Sequence, residues 1–231
     1  MLPIAVLAGG FATRLNEISR NKPKALIEIA GKPFVNWQIE LLKKNGFEDV
    51  IFCVSYKANE IQEYLGNGSK FGLNIRYSFD GSSQLGTGGA IKKAIPLLGK
   101  EFAVLYGDSY LPTKYELVES FFKNSESLAV MAVYRNQNKF DKSNVTFKSR
   151  TKIEYYKGVE NSEASYIDYG LSYFRSSAFD LVKPSEPYDL AELCHVLSTN
   201  NELEGFEVFE RFYEIGSVHG IRELSDKLGR A

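Results

Sequence analysis

Apolar residues fall along this chain in short blocks whose internal spacing switches between two rhythms. Residues 4–8, 49–54, 73–79, 102–106 and 128–134 are compact apolar runs that predict strands, the first of them buried on both faces. Between them Phe34, Trp37, Leu41 and Leu42 recur at helical spacing, in a helix that opens at Gly31-Lys32-Pro33 with proline in its first turn. Residues 59–65, with Ile61, Tyr64 and Leu65 on one face, predict a short helix, and residues 114–124 predict another. Residues 87–98 predict a helix broken or bent near Pro96. Strand alternating with helix up to about residue 135 implies a mostly parallel sheet with helices on both faces.

After Arg135 the rhythm changes. Residues 144–148, 153–156 and 169–174 predict strands separated by short polar turns, hence an antiparallel portion. Residues 176–182 and 190–199 predict helices, 206–209 and 212–215 short strands, and 218–228 a closing helix. No repeat or long linker divides the chain, so residues 1–231 are expected to form a single α/β domain. The change of rhythm divides that domain into two halves, about 1–135 and about 136–231.

Composition narrows the partners. The 231 residues are 44% hydrophobic, enough for one large core, and 28 Lys+Arg against 29 Asp+Glu leave a net charge of −1. That balance offers no electrostatic footprint for nucleic acid or an anionic membrane. Cys53 and Cys194 sit in apolar contexts that suggest neither a disulfide framework nor a metal site. The absence of a signal-like start or a membrane-length apolar run leads to the expectation of a soluble, cytoplasmic protein, monomer or homodimer.

Four stretches carry chemistry. The first strand ends in Gly9-Gly10, whose bare N–H groups can approach an anion, and Thr13 and Arg14 come directly after. Arg14 presents a planar fork to phosphate oxygens, and Lys22-Pro23-Lys24 holds a second cation on stiffened backbone. Next, Gln84-Leu85-Gly86-Thr87-Gly88-Gly89 lies at a strand-to-helix turn, where glycine admits a flat ligand and Thr87 can cap the helix. Asp108 stands just beyond the carboxyl end of a strand, the place where open α/β sheets bind ligands. Finally, Glu214 lies between Tyr213 and Ile215, so strand alternation turns its side chain away from both.

These residues together resemble the sugar-phosphate nucleotidyltransferases, whose opening signature is Gly-Gly-x-Gly-Thr-Arg-Leu followed by Lys-Pro-Lys. Ala12 replaces one of the signature glycines. The resemblance implies a three-layer α/β/α, Rossmann-like (GT-A-like) fold with a mixed, mostly parallel sheet, its first half binding the nucleotide and its second the sugar, with the active site between them. It implies that Leu7, Ala8, Gly9, Gly10, Thr13, Gly81, Gly86 and Thr87 surround the nucleotide, and that Arg14, Lys24 and Asp108 carry the chemistry. Gly81 stands where relatives use Gln or Glu to read the base, so base reading would rest on backbone between Gly81 and Thr87, or on Ser82 or Ser83. Tyr156, Lys157, Asp168 and Gly170 match the sugar-phosphate positions, with Tyr and Asp in place of the usual Glu and Asn. Asp108 and Glu214 match the Mg²⁺ ligands, Glu replacing the usual Asp.

The reaction so implied moves a nucleoside monophosphate from a nucleoside triphosphate to a sugar 1-phosphate and releases pyrophosphate. The look of the chain leans slightly towards heptose- or mannose-type 1-phosphate guanylyltransferases. Uridylyl or cytidylyl transfer, a non-sugar acceptor, and a non-catalytic nucleotide-sugar sensor stay open as alternatives.

Overall fold

The computed structural model describes residues 1–10, 22–81, 83–158, 161–184 and 186–229. Thr13 and Arg14, with Ala12 and Ser82, lie outside the described residues.

The first half runs β1 (Ile4–Leu7), β2 (Glu28–Ile29), β3 (Lys32–Pro33), α1 (Phe34–Lys44), β4 (Asp49–Val54), α2 (Ala58–Leu65), β5 (Asn74–Phe79), α3 (Gly86–Leu98), β6 (Glu101–Tyr106), β7 (Ser109–Tyr110), α4 (Tyr115–Asn124) and β8 (Ala129–Arg135). The second half adds β9 (Val145–Phe147), β10 (Ile153–Tyr155), β11 (Tyr166–Arg175), α5 (Leu190–Thr199), β12 (Leu203–Val208), β13 (Tyr213–Glu214) and α6 (Val218–Leu228). Among the described residues nine strands form one sheet. The path β5-β4-β1-β6-β11 continues through β9 to β10, and β8 and β12 extend it on the other side of β11. Strands β5, β4, β1 and β6 are mutually parallel, β11 runs antiparallel to β6, and β12 runs parallel to β8.

Alternation within each strand divides the core into two layers. Ile4, Val6, Val50, Phe52, Ala103 and Leu105 face α1, α2 and α4, while Ala5, Ile51, Cys53, Phe102 and Val104 face α3 and α5. A smaller cluster seats α6 on Phe34, Ile27 and Ile29.

The structure corrects several sequence expectations. Lys32 and Pro33 pair with Glu28 and Ile29 rather than starting a helix, and α1 begins at Phe34, whose N–H donates to the Ile27 carbonyl. Proline there ends the hairpin's arm, where its missing N–H costs the short ladder little. Helix α3 runs through Pro96 to Leu98; so near the end, proline removes little more than one intrahelical bond. Residues Ser176–Leu181 form a 3-10 helix, β11 starts at Tyr166, and β12 spans Leu203–Val208 rather than 206–209.

Candidate active site

Four parallel strands end side by side, and the residues just past their carboxyl ends build the site. Asp80 comes after β5, Ser55 after β4, Gly9-Gly10 after β1, and Gly107-Asp108 after β6. With neighbouring strands about 4.8 Å apart, that row extends roughly 14 Å, the scale of a nucleotide lying across the sheet. A cavity of about 700 Å³ lies along it, lined by Leu7, Ala8, Gly9 and Gly10, by Gly86 and Thr87, and by Lys24 and Asp108.

Gly107 is where the chain must be bare. Its N–H donates to the Leu7 carbonyl at 3.1 Å, and a Cβ there would stand 2.2 Å from that same oxygen. The close approach of the chain leaving β6 to the end of its parallel neighbour β1 places Asp108 at the cavity. Lys24 arrives from the opposite wall on a short 3-10 helix preceded by extended Pro23, and its Nζ lies 2.9 Å from the Asp108 carboxylate.

The glycine-rich start of α3, besides lining the cavity with Gly86 and Thr87, has a structural task. The N–H groups of Gly88 and Gly89 donate to the Tyr188 carbonyl, and a Cβ on Gly86 would come within 2.6 Å of that oxygen. The glycines let the segment before α5 lie on α3. Thr87 does not cap its own helix. Its hydroxyl donates to Asp189 at 2.9 Å and accepts from the Leu190 N–H at 2.8 Å, tying α3 to the first turn of α5.

A second cavity, of about 500 Å³, opens on the other side of Asp108 under β11, lined by Asn144, Tyr155, Asp168, Gly170, Phe212 and Glu214. Lys24, Tyr106 and Asp108 line both cavities. Here β11 is irregular. Asp168 faces Val133 and Ser172 faces Met131, so four steps on one strand match two on the other, with Gly170 at φ +92°. The bulge turns Asp168 into the cavity, where it accepts from the Gly170 N–H and the Tyr106 hydroxyl, both at 2.8 Å. Burial outweighs those bonds and raises the Asp168 pKa, and burial beside Asp168 raises that of Tyr106.

Glu214 reaches the same cavity from β13, which pairs with β7 so that Glu214 stands opposite Ser109, and the Ile215 N–H donates to the Asp108 carbonyl. Its carboxylate is not bare. The Gly216 N–H and the Ser217 hydroxyl both donate to it.

Three expected positions are not brought to the cavities. Gly81 does not line the first cavity; its neighbours Asp80 and Gln84 do. A carboxylate and an amide thus line the cavity beside the backbone expected to read a base. Burial raises the Asp80 pKa against the Leu85 N–H, which donates to it at 3.1 Å. Tyr156 lies past the end of β10 with its hydroxyl 3.1 Å from that of Thr146, and Tyr155 is the tyrosine that lines the second cavity. Lys157 is exposed and pairs with Glu192 at 3.0 Å and Asp189 at 3.2 Å, contacts that raise its pKa, Glu192 foremost. Tyr106 is a site residue that sequence reasoning misses. Its signal is nonetheless present: it precedes Gly-Asp at the end of an apolar strand.

Known proteins resemble this chain both in sequence and in fold. Residues 4–230 match the family model described as nucleotidyl transferase. A D-glycero-alpha-D-manno-heptose 1-phosphate guanylyltransferase of Campylobacter jejuni is 38% identical over 137 residues, 59% of this chain and 59% of that protein. An N-acetylmuramate alpha-1-phosphate uridylyltransferase of Neisseria meningitidis is 38% identical over 104 residues, 45% of each. The aligned part thus spans about half the length of these curated relatives. Among solved structures, HddC from Yersinia pseudotuberculosis superposes with a TM-score of 0.81 at 22% identity, over 99% of this chain and 100% of that one. The inositol-1-phosphate CTP transferase from T. maritima gives 0.81 at 20%, over 99% and 96%. At those identities the superpositions establish the fold.

Proposed function

The chain belongs to the nucleotidyl transferase family, and from that premise we propose that it transfers a nucleoside monophosphate from a nucleoside triphosphate to a sugar 1-phosphate, releasing pyrophosphate. One observation carries the reading: two cavities of substrate size meet at Lys24, Tyr106 and Asp108. A transferase needs such a junction, where two bound substrates present reacting atoms to each other.

In this reading the first cavity takes the triphosphate, its base towards Asp80 and Gln84 and its phosphates towards Gly9-Gly10. Lys24 neutralises phosphate charge at the junction, and Arg14 joins it by the opening signature. The acceptor phosphate is already largely ionised near neutrality, its second pKa being about 6, so no general base is needed. Asp168 and Asn144 then receive the acceptor's hydroxyls.

Asp108, in the turn just before β7, and Glu214, on β13 paired with β7, supply oxygen donors to the second cavity. Among the described residues no cluster of three or more His, Cys, Asp or Glu stands ready for a metal. Two carboxylates completed by phosphate oxygens and water suit Mg²⁺, which Asp108 and Glu214 would hold. When bound, the ion supplies positive charge that screens phosphate oxygens.

Guanine is the proposed base, since the Asp80 carboxylate complements the donor edge formed by N1–H and the 2-amino group. A heptose or mannose 1-phosphate is the proposed acceptor, in line with the heptose enzyme at 38% identity. We place the enzyme in the cytoplasm, where nucleoside triphosphates are made; no helix among the described residues is long and apolar enough to cross a membrane. Pyrophosphate release with GTP, UTP, CTP and dTTP against a panel of sugar 1-phosphates tests the proposal. Release with GTP and a heptose or mannose 1-phosphate is expected. Nucleotide binding with no release from any pair would leave a sensor instead.

A further inference from the structure

Helix α1 packs an apolar face of Phe34, Val35, Ile39 and Leu42 beneath the sheet, with one amide set among them. Gln38 is 2% exposed. Its Nε2 donates to the Tyr106 carbonyl at 3.1 Å and to the Ser109 carbonyl at 2.9 Å. Because both partners are carbonyls, the nitrogen and not the oxygen must face them. The two bonds span Tyr106-Gly107-Asp108-Ser109, joining the last residue of β6 to the first of β7 with Asp108 between.

The amide's other end argues that these two bonds are its role. Gln38 Oε1 is buried with no partner among the described residues, and an unpaired buried acceptor is costly. An apolar side chain of similar volume would fill this place without that penalty, so packing alone does not call for glutamine. The backbone of the turn has other anchors, namely Gly107 on the Leu7 carbonyl and Asp108 beneath the Ile215 N–H, but both are main-chain bonds. Gln38 is the anchor that side-chain substitution removes.

We infer that Gln38 is a positioning residue for the junction of the two cavities: its amide fixes the turn that aims Asp108 and, through the Ser109–Glu214 pair, sets the separation of the two carboxylates. Gln38 touches neither cavity. The inference rests on the nucleotidyl-transfer reading for its consequence, though not for its geometry.

Gln38→Met keeps the volume and removes both donors and the orphaned oxygen; Gln38→Leu serves if the thioether packs badly. Hydrogen–deuterium exchange on the intact protein reads the geometry without activity. Peptides covering residues 106–110 and 213–216 are expected to exchange about tenfold faster in the variant, as loss of local hydrogen bonds implies, with β4 and β5 unchanged. Pyrophosphate release reads the consequence. The value of kcat is expected to fall by about 10- to 100-fold, since small misplacements are costly, while KM for the triphosphate stays within about threefold. Unchanged exchange at 106–110 overturns the positioning role. Faster exchange with unchanged kcat overturns its link to chemistry. A wild-type protein that releases no pyrophosphate from any pair overturns the functional reading instead, and the exchange result then decides the geometry by itself.

Discussion

Lys24 and Asp108 meet across 2.9 Å at the one place that both cavities share, with side chains 18% and 35% exposed. A pair so open to solvent contributes little to stability, about 0–1 kcal/mol. In the proposed reaction an incoming phosphate would take the lysine and leave the aspartate for a cation. Lys24→Ala is expected to lower kcat/KM by roughly 1.5–3 kcal/mol, the worth of a hydrogen bond to a charged group. The melting temperature should fall by no more than about 4 °C, the shift that 1 kcal/mol brings in a chain of this size. Arg14→Ala should lose turnover in parallel. Near-normal steady-state pyrophosphate release in both folded variants would reduce the opening signature to coincidence.

The Asp168 carboxylate accepts two hydrogen bonds, yet burial raises its pKa in the folded protein. The folded state therefore holds a proton that the unfolded chain has released, and the stability tied to this group falls as pH rises from the ordinary aspartate value of 3.8 through the raised folded pKa. Asp168→Asn removes the charge and keeps both contacts, the amide oxygen accepting from Gly170 and the amide nitrogen donating to the Tyr106 oxygen. The variant should melt higher than wild type at pH 7, by a margin that narrows as pH falls towards 4. It should also bind the acceptor less well. Melting curves from pH 4 to 8 with acceptor KM check both, and a margin that widens towards low pH contradicts the assignment.

In the cavity proposed for the nucleotide, Asp80 is the group on which guanine selection should turn. Asp80→Asn can still accept from the Leu85 N–H, so the turn survives, but its other position becomes a donor facing the donors of guanine. The GTP preference in kcat/KM should drop by about 1–3 kcal/mol, the discrimination typical of a bidentate base contact. Gln84→Ala is the companion variant, with a smaller expected effect because Gln84 is exposed. If Asp80→Asn leaves the ratio of GTP to UTP unchanged, another group reads the base.

The parallel core is legible in the sequence because strands covered on both faces write themselves as apolar runs, and Asp49–Val54, Leu190–Thr199 and Val218–Leu228 have the bounds their patterns indicate. The junction is legible in part. Asp108 emerges from strand then Gly-Asp, but β7 and β13 are two residues each, too short to carry a period, and exist through pairing of Tyr213 with Tyr110 and Glu214 with Ser109, far apart in sequence. Tyr155 and Tyr156 exchange roles because strand parity holds only inside the strand, and β10 stops at Tyr155. Asp80 escapes notice because counting back from Gly86 reaches Gly81, whereas its place at the cavity depends on the Leu85 N–H closing the turn. Spacing along a chain does not encode such a closure.

Glu214 holds the last test, because its carboxylate has two candidate duties. It accepts from the Gly216 N–H and the Ser217 hydroxyl, contacts that shape the entry to α6, and it lines the cavity that Asp108 shares. Ser217 also caps α6, its Oγ accepting from the Gly220 N–H at 2.9 Å. Three variants separate the duties. Glu214→Gln retains an oxygen for the turn and removes the charge; Glu214→Asp retains the charge and can still accept from the N–H two residues on, as short acidic side chains do. Ser217→Ala leaves the carboxylate and removes the cap, at about 1 kcal/mol of stability. If Glu214 serves the metal, Glu214→Gln raises the Mg²⁺ concentration for half-maximal activity by about tenfold, the lower end of what ligand-shell changes cost. Glu214→Asp then stays nearer to wild type, and Ser217→Ala melts lower with an unchanged Mg²⁺ requirement. If the carboxylate serves only the turn, Glu214→Gln and Ser217→Ala behave alike, both losing stability and neither moving the Mg²⁺ curve. That pattern would leave Asp108 as the one protein ligand at the junction.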